Sequence, residues 1–223
     1  MYTWENLNIV GYKNREVPNT FIRQKETASC AALMLPGWGY TAHMPLLYYA
    51  ADILLNRGVD VLQVDYGYST LPEFGALDSA GRNRWLAVDV EAAYQVLIAQ
   101  RAYQHIVLIG KSLGTLGMGH LLATQVLPAT TSAIWMTPLV KNTQLRAQMK
   151  AFEGAALIVI GTADGQYDAN CIAEIGETAL RKVLAIPGAD HGMNIGTDVV
   201  ASISVLSTIM QSVQEFADEH ILS

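Results

Sequence analysis

The chain has 223 residues, enough for one domain with a substantial core, and 51% of them are apolar while 15% are charged. This balance excludes a disordered chain and suits an α/β protein in which both faces of the sheet are covered. Acidic residues outnumber basic ones by 20 to 14, the net charge is -6, and no Lys/Arg-rich run occurs, so we expect no nucleic-acid partner.

The start of the sequence has no feature of a targeting segment. Residues 1–6 contain no basic region followed by an apolar one, so we expect no signal peptide. No stretch reaches the roughly 18 continuous apolar residues that a membrane span needs. We therefore expect a soluble cytoplasmic protein with no membrane partner. Its two cysteines, Cys30 and Cys171, are expected to be buried free thiols rather than a disulfide.

Apolar runs of strand length alternate with longer helical patterns along the chain. The opening, residues 5–25, has the pattern of a strand pair that turns near Asn14 and Pro18. Six further strands are predicted at residues 31–35, 59–64, 105–109, 133–136, 156–160 and 182–186. Several of these runs are apolar at consecutive positions, as expected when both faces of a strand are buried.

Helical patterns lie between the strand runs. Residues 42–57 and 84–101 fit amphipathic helices, and the last segment has one apolar stripe, made of Val199, Ile203, Leu206, Met210, Val213 and Ala217. The alternation predicts an α/β fold with a doubly wound, mostly parallel sheet of eight strands. Because no repeat, low-complexity stretch or linker interrupts it, we expect a single domain over residues 1–223.

A G-x-S-x-G motif, Gly110 to Gly114, follows the strand at 105–109 and precedes a helical run. In such a turn the backbone at the serine is strained so that its hydroxyl is exposed, and the glycines stand where side chains would clash. Ser112 is therefore the predicted nucleophile. Gly-Lys-Ser also ends phosphate-binding loops, but such a loop needs a glycine where His105 stands, inside an apolar strand.

A serine nucleophile needs a base and an acid, and after such a turn they follow in the order acid, then histidine. His191, directly after the strand at 182–186, is the predicted base. Two aspartates after the strand at 156–160 compete for the role of the acid. We favour Asp164, in the turn just past the strand end, over Asp168, which stands where it would cap a helix.

The predicted nucleophile also needs donors for the oxyanion of its tetrahedral intermediate. The backbone N–H of Leu113, next to the nucleophile, is expected to be one donor. The loop after the strand at 31–35 reads Pro-Gly-Trp-Gly-Tyr, and the N–H of Trp38 is expected to be the other donor. The alternative interpretation of this loop is an ordinary glycine turn with a packed tryptophan.

Taken together, these segments resemble the α/β-hydrolase superfamily, in particular its small members of the dienelactone-hydrolase-like and carboxylesterase kind. The resemblance covers nearly the whole chain. It implies an α/β-hydrolase fold without a cap domain, since only about 18 residues separate Met136 from Ala155. Such an open site has six candidate lining residues, which are Trp38, Tyr40, His43, Met44, Tyr66 and Tyr68.

The resemblance implies a serine hydrolase that cleaves an ester or similar acyl bond of a small molecule through an acyl-enzyme, with no metal and no other cofactor. Thioesterases, peptidases and acyltransferases use the same triad, and a non-catalytic interaction module is the alternative from another class. The sequence departs from the family at Pro36, where many members have histidine, and its Ser112 replaces the cysteine of true dienelactone hydrolases. Lys111 has no assigned role, and the oligomeric state is not predicted.

Overall fold

The computed structural model describes residues 1–128 and 130–221. The strands are β1 (Tyr2–Glu5), β2 (Asn19–Gln24), β3 (Cys30–Leu35), β4 (Asp60–Val64), β5 (His105–Lys111), β6 (Thr130–Met136), β7 (Ala156–Gly161) and β8 (Arg181–Ile186). The helices are α1 (Pro45–Leu55), α2 (Pro72–Gly75), α3 (Ser79–Ile98), α4 (Leu113–Thr124), α5 (Thr143–Ala151), α6 (Ala169–Ile175) and α7 (Val199–His220).

The eight strands form one sheet in the order β1-β2-β4-β3-β5-β6-β7-β8. The pairs β1–β2 and β2–β4 are antiparallel, and all the pairs from β4 to β8 are parallel. The predicted mostly parallel, eight-stranded sheet is thus confirmed. In the sheet, β4 lies on one side of β3 and β5 lies on the other. The loops that follow β3 and β5 therefore run in opposite directions and leave a crevice between them. Ligands of such sheets bind in the crevice at this point, beyond the carboxyl ends of the strands.

Both predicted helices have other bounds in the structure, and the residues at their N-termini explain where each helix begins. α1 begins at Pro45 rather than at residue 42, because proline suits the first helical position, where its missing N–H is not needed. α3 begins at Ser79 rather than at residue 84, because the Asp78 side chain accepts the N–H of Gly81 at 2.8 Å and caps the helix. The single short helix α5 spans the segment where a cap would be inserted.

Apolar side chains cover both faces of the sheet. In β3, Leu33 belongs to the core beneath α3 and α4, whereas Met34 belongs to the core beneath α1 and α7. Leu108 and Ile109 of β5 divide in the same way, because successive side chains of a strand point to opposite faces. Burial on both faces explains why these strands read as continuous apolar runs.

The stripe predicted on the last helix is only half covered. Val213 and Ala217 are buried in the core, whereas Val199 and Ile203, near the start of α7, are exposed. By length and composition alone, α7 is apolar enough to cross a membrane. One such helix is weak support for a membrane span. The exposed half of the stripe instead lines a groove that is described below.

Neither cysteine forms a disulfide, as predicted. Cys30 is buried in β3. Cys171 is only half-buried in α6, which corrects the expectation that both thiols are buried.

Candidate active site

The G-x-S-x-G motif forms a sharp turn between β5 and α4. Ser112 has φ 52° and ψ −114°, a strained conformation for a residue with a side chain. A Cβ atom on Gly110 would lie 2.9 Å from the carbonyl group of Gly114, and a Cβ on Gly114 would overlap the carbonyl of Leu35. Only glycine therefore fits at the two flanking positions, which is the steric requirement expected of this turn.

Three of the predicted residues meet in one chain of hydrogen bonds at the carboxyl edge of the sheet. His191 Nε2 lies 2.8 Å from Ser112 Oγ, and His191 Nδ1 lies 2.7 Å from Asp164 Oδ2. A carboxylate only accepts, so Nδ1 carries the proton that it donates to Asp164, and Nε2 is free to accept the hydroxyl proton. A serine, a histidine and an aspartate in this arrangement can act as a nucleophile, a base and an orienting group.

The electrostatics of the site differ between its two ends. The Asp164 side chain is 1% exposed, and its second oxygen accepts the N–H of Gln166 at 2.8 Å. Burial would raise the pKa of Asp164, but the hydrogen bonds from His191 and from the Gln166 amide outweigh it and lower that pKa. Asp164 is therefore ionised at neutral pH. The His191 side chain, by contrast, is 40% exposed and is accessible from solvent.

The competing aspartate, Asp168, lies outside this chain of hydrogen bonds. Its carboxylate accepts the N–H groups of Asn170 at 2.9 Å and of Cys171 at 3.0 Å, so it caps the N-terminus of α6. The structure thus brings Asp164, rather than Asp168, to the histidine.

The two expected oxyanion donors lie on segments that flank Ser112. Leu113 is the first residue of α4, and the first N–H groups of a helix have no acceptor within it. In the loop after β3, a Cβ atom on Gly37 would lie 3.1 Å from Ser112 Cβ, so the backbone next to Trp38 approaches the nucleophile closely. The Trp38 side chain packs against Phe74, with ring centroids 5.4 Å apart.

The predicted lining is correct only in part. Trp38, His43 and Met44 are exposed around the crevice, and the hydroxyl of Tyr40 accepts the N–H of Leu46 at 3.0 Å. The other two candidates, Tyr66 and Tyr68, are buried instead, and their rings stack in the core with centroids 4.5 Å apart. They do not line the crevice, because both rings are buried in the core, where Tyr68 also stacks on Phe74.

An apolar groove of about 360 Å³ adjoins the site. It begins at Gly192, next to His191, and runs between the loop after β3 and the start of α7. Its apolar walls are formed by Tyr40, Leu46, Met193, Val199, Ile203 and Leu206. A larger cavity of about 580 Å³ lies near the opposite edge of the sheet, between the end of α4 and α5, and none of the triad residues line it. Ser112, Asp164 and His191 do not line the groove either, but the groove includes Gly192, which directly follows His191.

One residue of the site was not predicted from the sequence. Lys111 is buried, and its ammonium donates hydrogen bonds to Thr137 Oγ1 and to the carbonyl oxygen of His191. The signal for it was a lysine at the end of an otherwise apolar strand, directly before the nucleophile. Within residues 1–128 and 130–221, no group of three or more His, Cys, Asp or Glu side chains is arranged to hold a metal ion.

No family model and no curated protein matches the sequence. Solved structures are similar in fold. An esterase from Pyrococcus furiosus has a TM-score of 0.72 at 14% identity and covers 98% of this chain and 93% of its own. Est1E from Butyrivibrio proteoclasticus, solved with ferulic acid, has a TM-score of 0.69 at 13% identity and covers 100% of both chains.

A serine hydrolase without a lid from Xanthomonas campestris has a TM-score of 0.65 at 17% identity and covers 97% of this chain and 94% of its own. At such identities the likeness concerns the fold. Together with the strand order and the missing cap segment, it shows that the chain has the α/β-hydrolase fold in its form without a lid.

Proposed function

We propose that the protein is a serine hydrolase that cleaves a carboxylic ester or a similar acyl bond of a small molecule. The observation that carries this proposal is the continuous hydrogen-bonded chain from Ser112 through His191 to Asp164. It lies at the crevice where sheets of this topology bind ligands. The esterases among the similar solved structures support the same reaction class.

The reaction follows from the roles of these groups. Ser112 Oγ attacks the substrate carbonyl while His191 Nε2 takes the hydroxyl proton, and Asp164 stabilises the resulting imidazolium. The N–H groups of Leu113 and Trp38 stabilise the oxyanion. The intermediate then expels the leaving group, which receives the proton from His191. A water molecule, activated by the same imidazole, attacks the acyl-enzyme, and the acid leaves.

One feature favours hydrolysis over acyl transfer, and another bears on the size of the acyl group. No insertion within residues 1–128 and 130–221 forms a lid, and the exposed His191 ring lets water reach the acyl-enzyme, whereas transfer to another acceptor needs water to be excluded. The groove has apolar walls but is open, which suits small or medium apolar groups. A thioesterase, peptidase or acyltransferase activity is the second possibility.

Labelling with a fluorophosphonate tests this proposal. We expect one covalent adduct on Ser112, found by intact mass and peptide mapping, that is absent in Ser112→Ala and strongly slowed in His191→Ala. A panel of p-nitrophenyl esters with acyl chains of increasing length then measures turnover. A well-folded protein that forms no adduct and cleaves no ester would exclude a serine hydrolase and favour a non-catalytic interaction module.

A further inference from the structure

Lys111 is a buried cation next to the proposed nucleophile, and its side chain is 3% exposed. Its Nζ donates to Thr137 Oγ1 at 3.1 Å and to the backbone oxygen of His191 at 3.1 Å, and it lies 4.8 Å from the ring centroid of Tyr40. An ammonium has three N–H donors, and here a hydroxyl, a carbonyl and an aromatic face receive them. One side chain thereby connects the loops after β3, β6 and β8 to the residue that precedes Ser112.

The conformation of Thr137 is a second, independent sign that this contact is built into the fold. Thr137 is fully buried and has φ 45°, which is a true outlier for a β-branched residue. Such strain persists only where the surroundings fix the backbone. Here the N–H of Thr137 donates to Val159 O at 2.8 Å, and its side-chain oxygen accepts from Lys111.

The surroundings of Lys111 determine when it is charged. Burial lowers the pKa of Lys111 to about 8, although the carboxylates of Asp164 and Asp190 act in the opposite direction. The phenol ring of Tyr40 also faces the ammonium, and both hydrogen-bond acceptors, Thr137 Oγ1 and the backbone oxygen of His191, are uncharged. The ammonium therefore predominates at neutral pH and is lost as the pH rises.

We propose that Lys111 is a positioning residue whose ammonium holds the backbone of His191, and with it the imidazole, within reach of Ser112. Through the face of Tyr40, the same group ties the histidine loop to the loop that carries the expected oxyanion donor. This inference rests on the proposed function, but the position of the imidazole is measurable without turnover. A neutral amine keeps two N–H donors and loses the attraction to the ring, so we expect the geometry to loosen at alkaline pH.

Kinetics of Lys111→Met, which shortens the unbranched side chain by one heavy atom and removes its charge, test the proposal. Since small displacements of a catalytic group lower rates strongly, we expect kcat for a p-nitrophenyl ester to fall on the order of 10- to 100-fold, with KM nearly unchanged. The wild type should also lose kcat above about pH 8, and the variant should not show that step. The matched control is Lys141→Met, because the exposed Lys141 donates to Gly165 O in the loop of Asp164.

NMR of the His191 ring separates this proposal from the proposed function. In protein with ¹⁵N-labelled histidine, the Nδ1–H proton bonded to Asp164 should give a low-field signal, assigned by its loss in His191→Gln. We expect the signal at pH 7 in the wild type and in Lys141→Met, and its broadening or shift in Lys111→Met. An inactive wild type with this pattern would refute the hydrolase proposal and keep the positioning role.

A second variant covers the case in which Lys111→Met does not fold. Thr137→Val removes one acceptor of the ammonium and keeps the volume of the side chain, so we expect the same changes in kcat and in the NMR signal at smaller size. If a well-folded variant, Lys111→Met or otherwise Thr137→Val, keeps the wild-type kcat, pH profile and His191 signal, Lys111 does not position the histidine and the proposal is overturned.

Discussion

Two buried cations lie at opposite edges of the sheet. Lys111 ends β5 at the carboxyl edge, which is the side of the sheet where the parallel strands end. Arg181 begins β8 at the amino edge, where the parallel strands start. Both side chains are almost fully buried, and burial lowers the pKa of both. Both donate hydrogen bonds to backbone carbonyls. The two side chains differ in the structural elements to which those carbonyls belong.

The guanidinium of Arg181 caps the C-termini of two helices. It donates to backbone oxygens at the ends of α5 and α6, which are those of Lys150, Phe152, Ile175 and Gly176. The last carbonyl oxygens of a helix accept no N–H from the helix itself, and a cation near them is stabilised by the helix dipole. Arg181 thus supplies donors that the fold itself needs.

Lys111 supplies its donors to loops, and the residues around it are strained. Ser112, Thr137 and Met193 all have positive φ, and all three lie in loops at the carboxyl edge. At both edges the lowered pKa means that burying the charge destabilises the folded state, and at the carboxyl edge the strained backbone adds to this cost. The comparison indicates that the amino edge is arranged for stability, whereas the carboxyl edge keeps a geometry that costs stability.

The largest effect is expected for Asp164→Asn. Asparagine can present its N–H₂ group to the imidazole and favour the wrong tautomer, so we expect kcat to fall on the order of 10⁴-fold. We expect only a small change in the free energy of unfolding. The matched control is Asp168→Asn, which keeps a good helix cap and should leave ester turnover unchanged. Loss of turnover in the control alone would assign the acid to Asp168.

The contrast also explains which features of the site the sequence could reveal. The turn around Ser112 is fixed by local sterics, because Gly110 and Gly114 stand where no side chain fits, and this leaves a short motif. His191 and Asp164 follow from chain order, since each comes directly after a strand of a parallel sheet. Local rules therefore sufficed for three residues that the structure brings together.

Features that depend on distant packing could not be read from the sequence. Lys111 donates to Thr137 and His191, which lie 26 and 80 residues away from it in the sequence. No spacing rule connects these positions. The stacking of Tyr66 and Tyr68 is likewise set by the core around them. A periodic stripe marks an apolar helix face, but it does not tell which half of α7 the sheet covers.

Arg181→Met tests the amino edge. Removing the guanidinium leaves four backbone carbonyls without their donor, at roughly 1 kcal/mol each, so we expect the free energy of unfolding to fall by about 3–4 kcal/mol. Turnover per folded molecule should stay at the wild-type value. Denaturant unfolding measures the first quantity, and fluorophosphonate titration of folded sites normalises the second. The control is Arg23→Met in an exposed ion pair, with a change within about 0.5 kcal/mol.

The pH dependence of stability tests the cost of the buried charge at Lys111. The pKa of Lys111 is about 8 in the folded protein, against the ordinary lysine value of 10.5. Between pH 8 and 10.5 the unfolded chain therefore binds more protons than the folded one. The unfolding free energy of the wild type, relative to Lys111→Met, should therefore rise with pH over this window, by about 3 kcal/mol in total. The gain is lost again as the pH falls from 10.5 to 8. Parallel curves for the two proteins would contradict a buried charge.

The smallest effect is expected in the groove that adjoins the carboxyl edge. Ile203 is 60% exposed, so Ile203→Ser should leave the free energy of unfolding nearly unchanged. The variant removes apolar surface that a bound chain would cover, worth about 1 kcal/mol. We expect kcat/KM for longer-chain esters to fall about fivefold, and that for acetate esters to remain constant. Val126→Ser, at a 95% exposed valine near the amino edge, is the matched control. An equal loss for short and long esters would mean that the groove does not hold the substrate chain.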